Sequence, residues 1–119
     1  MHELAICQAL ISQLDALART RNAVGVERVT VQVGPLSGVV PDLLHRAYTL
    51  ASADTIACGA ELILEECPIK VYCDECRSES IAQVNRLTCS RCGNWRTRLL
   101  TGDELMLMRV ELLTDETLH

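Results

Sequence analysis

Phenylalanine is absent from this 119-residue sequence, and Trp95, Tyr48 and Tyr72 are its only aromatic residues. With 49% apolar residues the chain can still bury a core, but that core must be aliphatic. Histidine is almost as scarce, at His2, His45 and His119. No serine sits in a nucleophile-elbow pattern, and no glycine-rich loop is placed to cradle phosphate. Without a catalytic constellation, an enzyme is not expected. No apolar run approaches the length of a membrane span, and the first residues lack the basic flank and continuous apolar stretch of a signal peptide. The expectation is a cytoplasmic protein that does not enter the membrane. The formal net charge of -5 also lacks the basic excess of a general nucleic-acid binder.

Cysteine, by contrast, is abundant, with seven residues. Cys73 and Cys76 form one CxxC pair and Cys89 and Cys92 a second, with twelve residues between the pairs. A two-residue spacer lets a tight knuckle turn both sulfurs toward one point, and two knuckles supply the four thiolates of a tetrahedral structural zinc site. Iron in a rubredoxin-like site competes with this reading, because four thiolates do not by themselves distinguish the metals. Disulfides fit less well. Bridges between knuckle cysteines are strained, and the remaining Cys7, Cys58 and Cys67 are odd in number, which suits a reducing compartment.

Leu4, Cys7, Leu10, Ile11, Leu14 and Leu17 recur at steps of three and four, which predicts an amphipathic helix over 4–20. Val29, Val31 and Val33 then alternate with Arg28, Thr30 and Gln32 as in a half-buried strand. Pro41 and Asp42 suit the first turn of a second helix, with Leu44, Ala47, Tyr48 and Ala51 on its buried face. His45 on that helix reads as a surface or packing residue. Strand patterns follow over 61–67 and 69–72, and 94–100 suits a last arm of the metal lobe. Residues 104–113, ELMLMRVELL, are the most strand-like stretch that remains, and so apolar a strand calls for cover on at least one side. Returning it to the first sheet makes the metal lobe an insertion. The expected fold is α+β: a small sheet of at least three strands with two helices on one face, plus an inserted zinc-ribbon-like lobe. Residues 1–70 together with 104–119 form the main domain in this reading, and 71–103 the zinc-binding domain.

Met1, His2 and Glu3 offer a second metal chemistry. The terminal amine of Met1, the amide nitrogen of His2 and Nδ1 of its ring can close fused chelate rings around one ion, with the Glu3 amide in reach of a fourth place. Four nitrogens in a plane suit nickel(II) or copper(II), whereas zinc takes a tetrahedron. A histidine at position two also occurs by chance, so the motif is weak on its own. A rival reading rests on Arg86, Arg91, Arg96 and Arg98, which surround the second knuckle with Trp95 among them. Such a cluster suits a zinc-ribbon module that binds nucleic acid or another protein.

The MHE start, the helix LAICQALISQL, the stretch VGPLSGVVPDLLHRAYTLASADTIACGAELILEECP, the paired CxxC knuckles and the closing TGDELMLMRVEL together resemble the HypA/HybF family of hydrogenase nickel-incorporation proteins. The resemblance spans essentially the whole chain in order. It implies a nickel metallochaperone that helps insert Ni(II) into the large subunit of a NiFe hydrogenase during maturation. It places transient nickel on Met1, His2 and Glu3, making the main domain the nickel-binding one, and structural zinc on Cys73, Cys76, Cys89 and Cys92. A HypB-type GTPase and the large-subunit precursor are the implied partners, with homodimers in several members and a urease role in some. Some members add a zinc-lobe histidine to the nickel sphere. This chain has none between His45 and His119, and Cys7, Cys58 and Cys67 lie outside the family's metal motif.

Overall fold

The computed structural model describes residues 2–115, so Met1, residues 116–118 and His119 lie outside the described residues. In chain order the elements are α1 (Glu3–Thr20), β1 (Gly25–Val33), α2 (Pro41–Ser52), β2 (Glu61–Glu66), β3 (Ile69–Cys73), β4 (Ser78–Ala82), β5 (Thr97–Thr101) and β6 (Leu105–Leu113). The strands form two three-stranded sheets, ordered β2-β1-β6 and β4-β3-β5. The fold is therefore α+β, with two helices and two small sheets.

Helix α1 buries Glu3, Cys7, Leu10, Ile11, Leu14 and Ala18. Leu4 and Leu17, expected in that stripe, are 50% and 38% exposed. They flank the buried line on opposite sides, because the line that follows the 3.6-residue turn runs through Glu3, Cys7, Leu14 and Ala18. The helix stops in a Schellman geometry: Asn22 takes the left-handed conformation at φ 55, its amide bonds Arg19 O, and the Ala23 amide bonds Ala18 O at 2.8 Å. The Val24 amide then reaches Leu113 O at 2.7 Å, which starts β1 beside the end of β6.

Pro41 opens α2 at a position where no amide donor is needed, and Val40 at the cap has no side-chain oxygen to offer. A carboxylate from α1 meets this need: the Val40 amide donates to Glu3 Oε2 at 3.3 Å. The two helices pack together, and the Cys7 thiol, pushed up in pKa by burial and then by the Glu3 charge, lies 3.6 Å from Leu44 O. Cys7 is thus a buried packing residue.

Val29, Val31 and Val33 are buried along β1, as their alternation predicts. On the opposite side of the strand, Arg28 donates to Glu61 Oε1 of β2 at 2.7 Å and also pairs with Glu111 of β6. All three side chains are at least a third exposed, so the ladder fixes register more than it stabilises. The covered side expected for β6 is only partly found: Met106 and Met108 are 50% and 53% exposed, while Val110 to Leu113 are half-buried. Among the described residues β6 is an edge strand, with β1 on one side only.

The chain divides into two compact units, one of Met1–Val31, Val39–Leu64 and Leu107–His119, the other of Gln32–Gly38 and Glu65–Met106. The first unit holds most of the buried aliphatic side chains, from Leu10, Ile11 and Leu14 to Val29, Leu44 and Leu62. In the second, the buried apolar residues are Val33, Cys67, Ile69, Val71, Cys73 and Cys89. Strand β3 is its centre. It pairs antiparallel with β4, Cys73 opposite Ser78, and with β5, Cys73 opposite Thr97.

Candidate metal centres

Two knuckles of the same design bring the paired cysteines together. Cys73 ends β3, and the chain turns back so that the Arg77 amide donates to Cys73 O at 2.9 Å, with Arg77 left-handed at φ 53. In the second knuckle the Gly93 amide donates to Cys89 O at 2.8 Å, and Gly93 is left-handed at φ 78. Glycine enters that conformation at little cost, whereas arginine must be held in it by its surroundings. The second knuckle is tied to β4 by the Ser90 amide on Ser80 Oγ at 3.2 Å, and the Cys89 amide closes it locally on Asn94 O at 2.9 Å.

The four sulfurs lie within 4.8 Å of one another. Across the knuckles, Cys73 Sγ stands 3.5 Å from Cys92 Sγ, and Cys76 Sγ stands 3.6 Å from Cys89 Sγ. A tetrahedron with metal–sulfur bonds of about 2.3 Å has edges of about 3.8 Å, so this spacing fits a metal such as zinc. Cys73 and Cys89 are buried and Cys76 and Cys92 exposed, which gives the cluster one closed and one accessible side.

Backbone amides prepare the cluster for negative charge. The Cys89 thiol is pulled down to about 6, chiefly by the Cys92 amide and, against the opposing effect of burial, by the Arg91 amide and the neighbouring thiols. The Asn94 amide favours the Cys92 thiolate as well, but the Cys73 sulfur, burial and the other two thiols outweigh it and push Cys92 up to about 12. One thiolate forms readily, and further ones are opposed by the charge already there. A divalent cation removes that opposition, because coordination deprotonates thiols outright.

At the other end of the chain, His2 is exposed and stands at the N-cap of α1, with its carbonyl accepting from the Ile6 amide at 2.9 Å. Its ring makes no capping bond, so the helix does not use the imidazole. The amides of His2 and Glu3 fall where a helix supplies no carbonyl partner of its own. Glu3 is buried, with its carboxylate turned to the Val40 amide, a contact that the sequence does not suggest. Met1, the remaining residue of the candidate nickel motif, lies outside the described residues.

The arginine cluster is partly spent within its own unit. Arg98 stacks on Tyr72 at 5.0 Å and pairs with Asp74 at 3.3 Å, and Arg96 lies 5.3 Å over the ring of Trp95. Trp95 itself is 73% exposed. No helix among the described residues is long and apolar enough to cross a membrane.

The family model described as hydrogenase/urease nickel incorporation, metallochaperone, HypA, matches residues 1–112. A hydrogenase maturation factor HypA from Nitrosospira multiformis is 46% identical over 114 residues, covering 96% of this chain and 99% of that one. A protein of the same name from Streptomyces avermitilis is 41% identical over 112 residues, covering 92% and 86%. The solution structure of the nickel metallochaperone HypA from Helicobacter pylori has the same fold, with a TM-score of 0.68 at 22% identity over 97% of this chain and 100% of that one.

Proposed function

The chain belongs to the HypA family of hydrogenase/urease nickel-incorporation metallochaperones, and from that premise we propose that it carries Ni(II) on Met1, His2 and Glu3 to the large-subunit precursor of a NiFe hydrogenase. The observation that supports this most is the exposed His2 ring, which the helix leaves unused beside the first-turn amides. Nickel is cargo here. A shallow site at a chain end lets the ion leave one ligand at a time as the receiving protein's groups replace them. Glu3 contributes its amide nitrogen, while its carboxylate, bonded to Val40, holds the motif against the start of α2.

Cys73, Cys76, Cys89 and Cys92 hold Zn(II) in the same reading. Four protein ligands leave no open position for chemistry, so the zinc is structural and the protein acts without catalysing a reaction. A HypB-type GTPase, the hydrogenase precursor and a second copy of the chain are the partners, and the cytoplasm is the site of action. Nucleic acid and membranes are not among them. The commitments of Arg96 and Arg98 to Trp95, Tyr72 and Asp74 support a protein-docking role for the arginine cluster over a nucleic-acid one.

Isothermal titration and metal analysis of an untagged sample starting at Met1 test the reading. His2→Ala is expected to weaken nickel binding by about two orders of magnitude or more, the equivalent of roughly 3 kcal/mol, with zinc unchanged. Residues added before Met1 remove the terminal amine and should weaken nickel in the same direction. Binding at amides that give up protons also predicts that affinity falls as pH falls. Wild-type nickel affinity in His2→Ala would disprove the N-terminal assignment.

A further inference from the structure

The two edges of the sheet β2-β1-β6 are unlike each other. Strand β2 carries exposed glutamates at Glu61, Glu65 and Glu66. A second copy laid antiparallel along β2 and centred on Ile63 would set Glu61 opposite the partner's Glu65, so like charges guard that edge. Strand β6 has no such guard. Its residues 107–113 read LMRVELL, with Met108 and Arg109 exposed and the rest half-buried.

We propose that β6 is the homodimer interface, two copies pairing antiparallel about Val110 to make one six-stranded sheet. This deepens the homodimer part of the functional reading and is independent of the nickel part. The register follows from the sequence of the strand itself. Centred on Val110, Leu107 lies opposite the partner's Leu113, Met108 opposite the partner's Leu112, and Arg109 opposite the partner's Glu111. By two-fold symmetry every pair occurs twice. A centre on Arg109 would instead oppose two arginines, and a centre on Glu111 two glutamates.

The charges on the strand extend an existing pattern. Arg109 and Glu111 are two residues apart and so share a face of the sheet, the face on which Glu111 already meets Arg28 and Arg28 meets Glu61. A carboxylate has lone pairs for more than one donor, so Glu111 can accept from Arg28 and from the partner's Arg109 together. The dimer would then carry an unbroken alternation of sign, Glu61, Arg28, Glu111 and the partner's Arg109, from one protomer into the next. On the other face, Met108 would gain cover from the partner's Leu112, which answers its 53% exposure.

Light scattering after size exclusion, on the full zinc-loaded chain, tests this. The wild type is expected to be a dimer at high micromolar concentration, and Arg109→Glu a monomer. Met108→Lys should also be a monomer with an unchanged circular dichroism spectrum, because the side chain is exposed in the single chain and an edge lysine blocks pairing. The register is tested by mixing: Arg109→Glu with Glu111→Arg restores opposite charges at every Arg109–Glu111 position, so the mixture should form heterodimers that neither variant forms as homodimer. A monomeric wild type would remove the homodimer itself and leave β6 to an extended segment of another protein. A dimeric wild type whose Arg109→Glu and Met108→Lys variants stay dimeric would keep the homodimer and overturn β6 as its interface.

Discussion

Cys73→Ser is expected to release the zinc and unfold the second unit, while the first keeps its two helices. Few buried aliphatic side chains are available to hold that unit, namely Val33, Ile69 and Val71. Each contributes about 1.5–3 kcal/mol when fully buried. Zinc binding at a four-thiolate site supplies about 10–16 kcal/mol in small metal-folded domains, more than the three together, so its loss removes the largest single support of the unit. Cys73 is the most consequential ligand to remove, because it is fully buried and ends the central strand, where β4 and β5 both pair with it. Loss of amide dispersion for residues 65–106, with helical circular dichroism retained and zinc near zero, is the expected result. A Cys73→Ser protein that keeps one zinc and a dispersed spectrum would show that the cluster does not hold the unit together. Chelation of the wild type should reproduce the variant.

The contrast between the two units also explains what the sequence makes legible. The CxxC spacing reports a local event, the turning of a knuckle, so the convergence of Cys73, Cys76, Cys89 and Cys92 can be read from short-range pattern. The alternation at Val29, Val31 and Val33 and the proline at the head of α2 are local in the same sense. Long-range pairings leave no such trace. Arg28 meets partners 33 and 83 residues away, and Glu3 bonds an amide 37 residues away. A lone arginine in a strand and a glutamate in a first helical turn look like ordinary surface residues until the elements are placed. The buried stripe of α1 departs from the apolar one for a related reason: hydrophobicity points to Leu4 and Leu17, but packing chooses Glu3 and Ala18, small or hydrogen-bonded residues that sit on the true line of contact.

Gly34→Ala is the second large effect, and it follows from a close approach of two backbone segments within the second unit. A Cβ built on Gly34 would lie 2.1 Å from Gly102 O and 2.3 Å from Gly102 C. Neither atom can swing aside as the end of a side chain could. Gly102 is fixed from three directions: its carbonyl accepts from the Leu36 amide at 2.7 Å, its amide donates to Glu104 Oε1 at 2.6 Å, and Ile69 occupies the side where a Cβ would project. Its φ of 129 is itself one that glycine alone adopts readily, so it has no relaxed position to retreat to. Relief of the clash therefore requires the chain at Gly34 to move, which breaks its amide bond to Glu104 O at 2.8 Å and loosens the Cys67 amide bond to Val33 O beside it. Overpacking costs about 1–3 kcal/mol where side chains can adjust, and a backbone clash belongs at or beyond the top of that range. The expected readout is a fall in melting temperature together with faster hydrogen exchange at Leu36, Cys67 and Gly102, with zinc still bound because the knuckles are untouched. A Gly34→Ala protein as stable as wild type would mean that the crossing of these two segments is looser than the 2.1 Å approach implies.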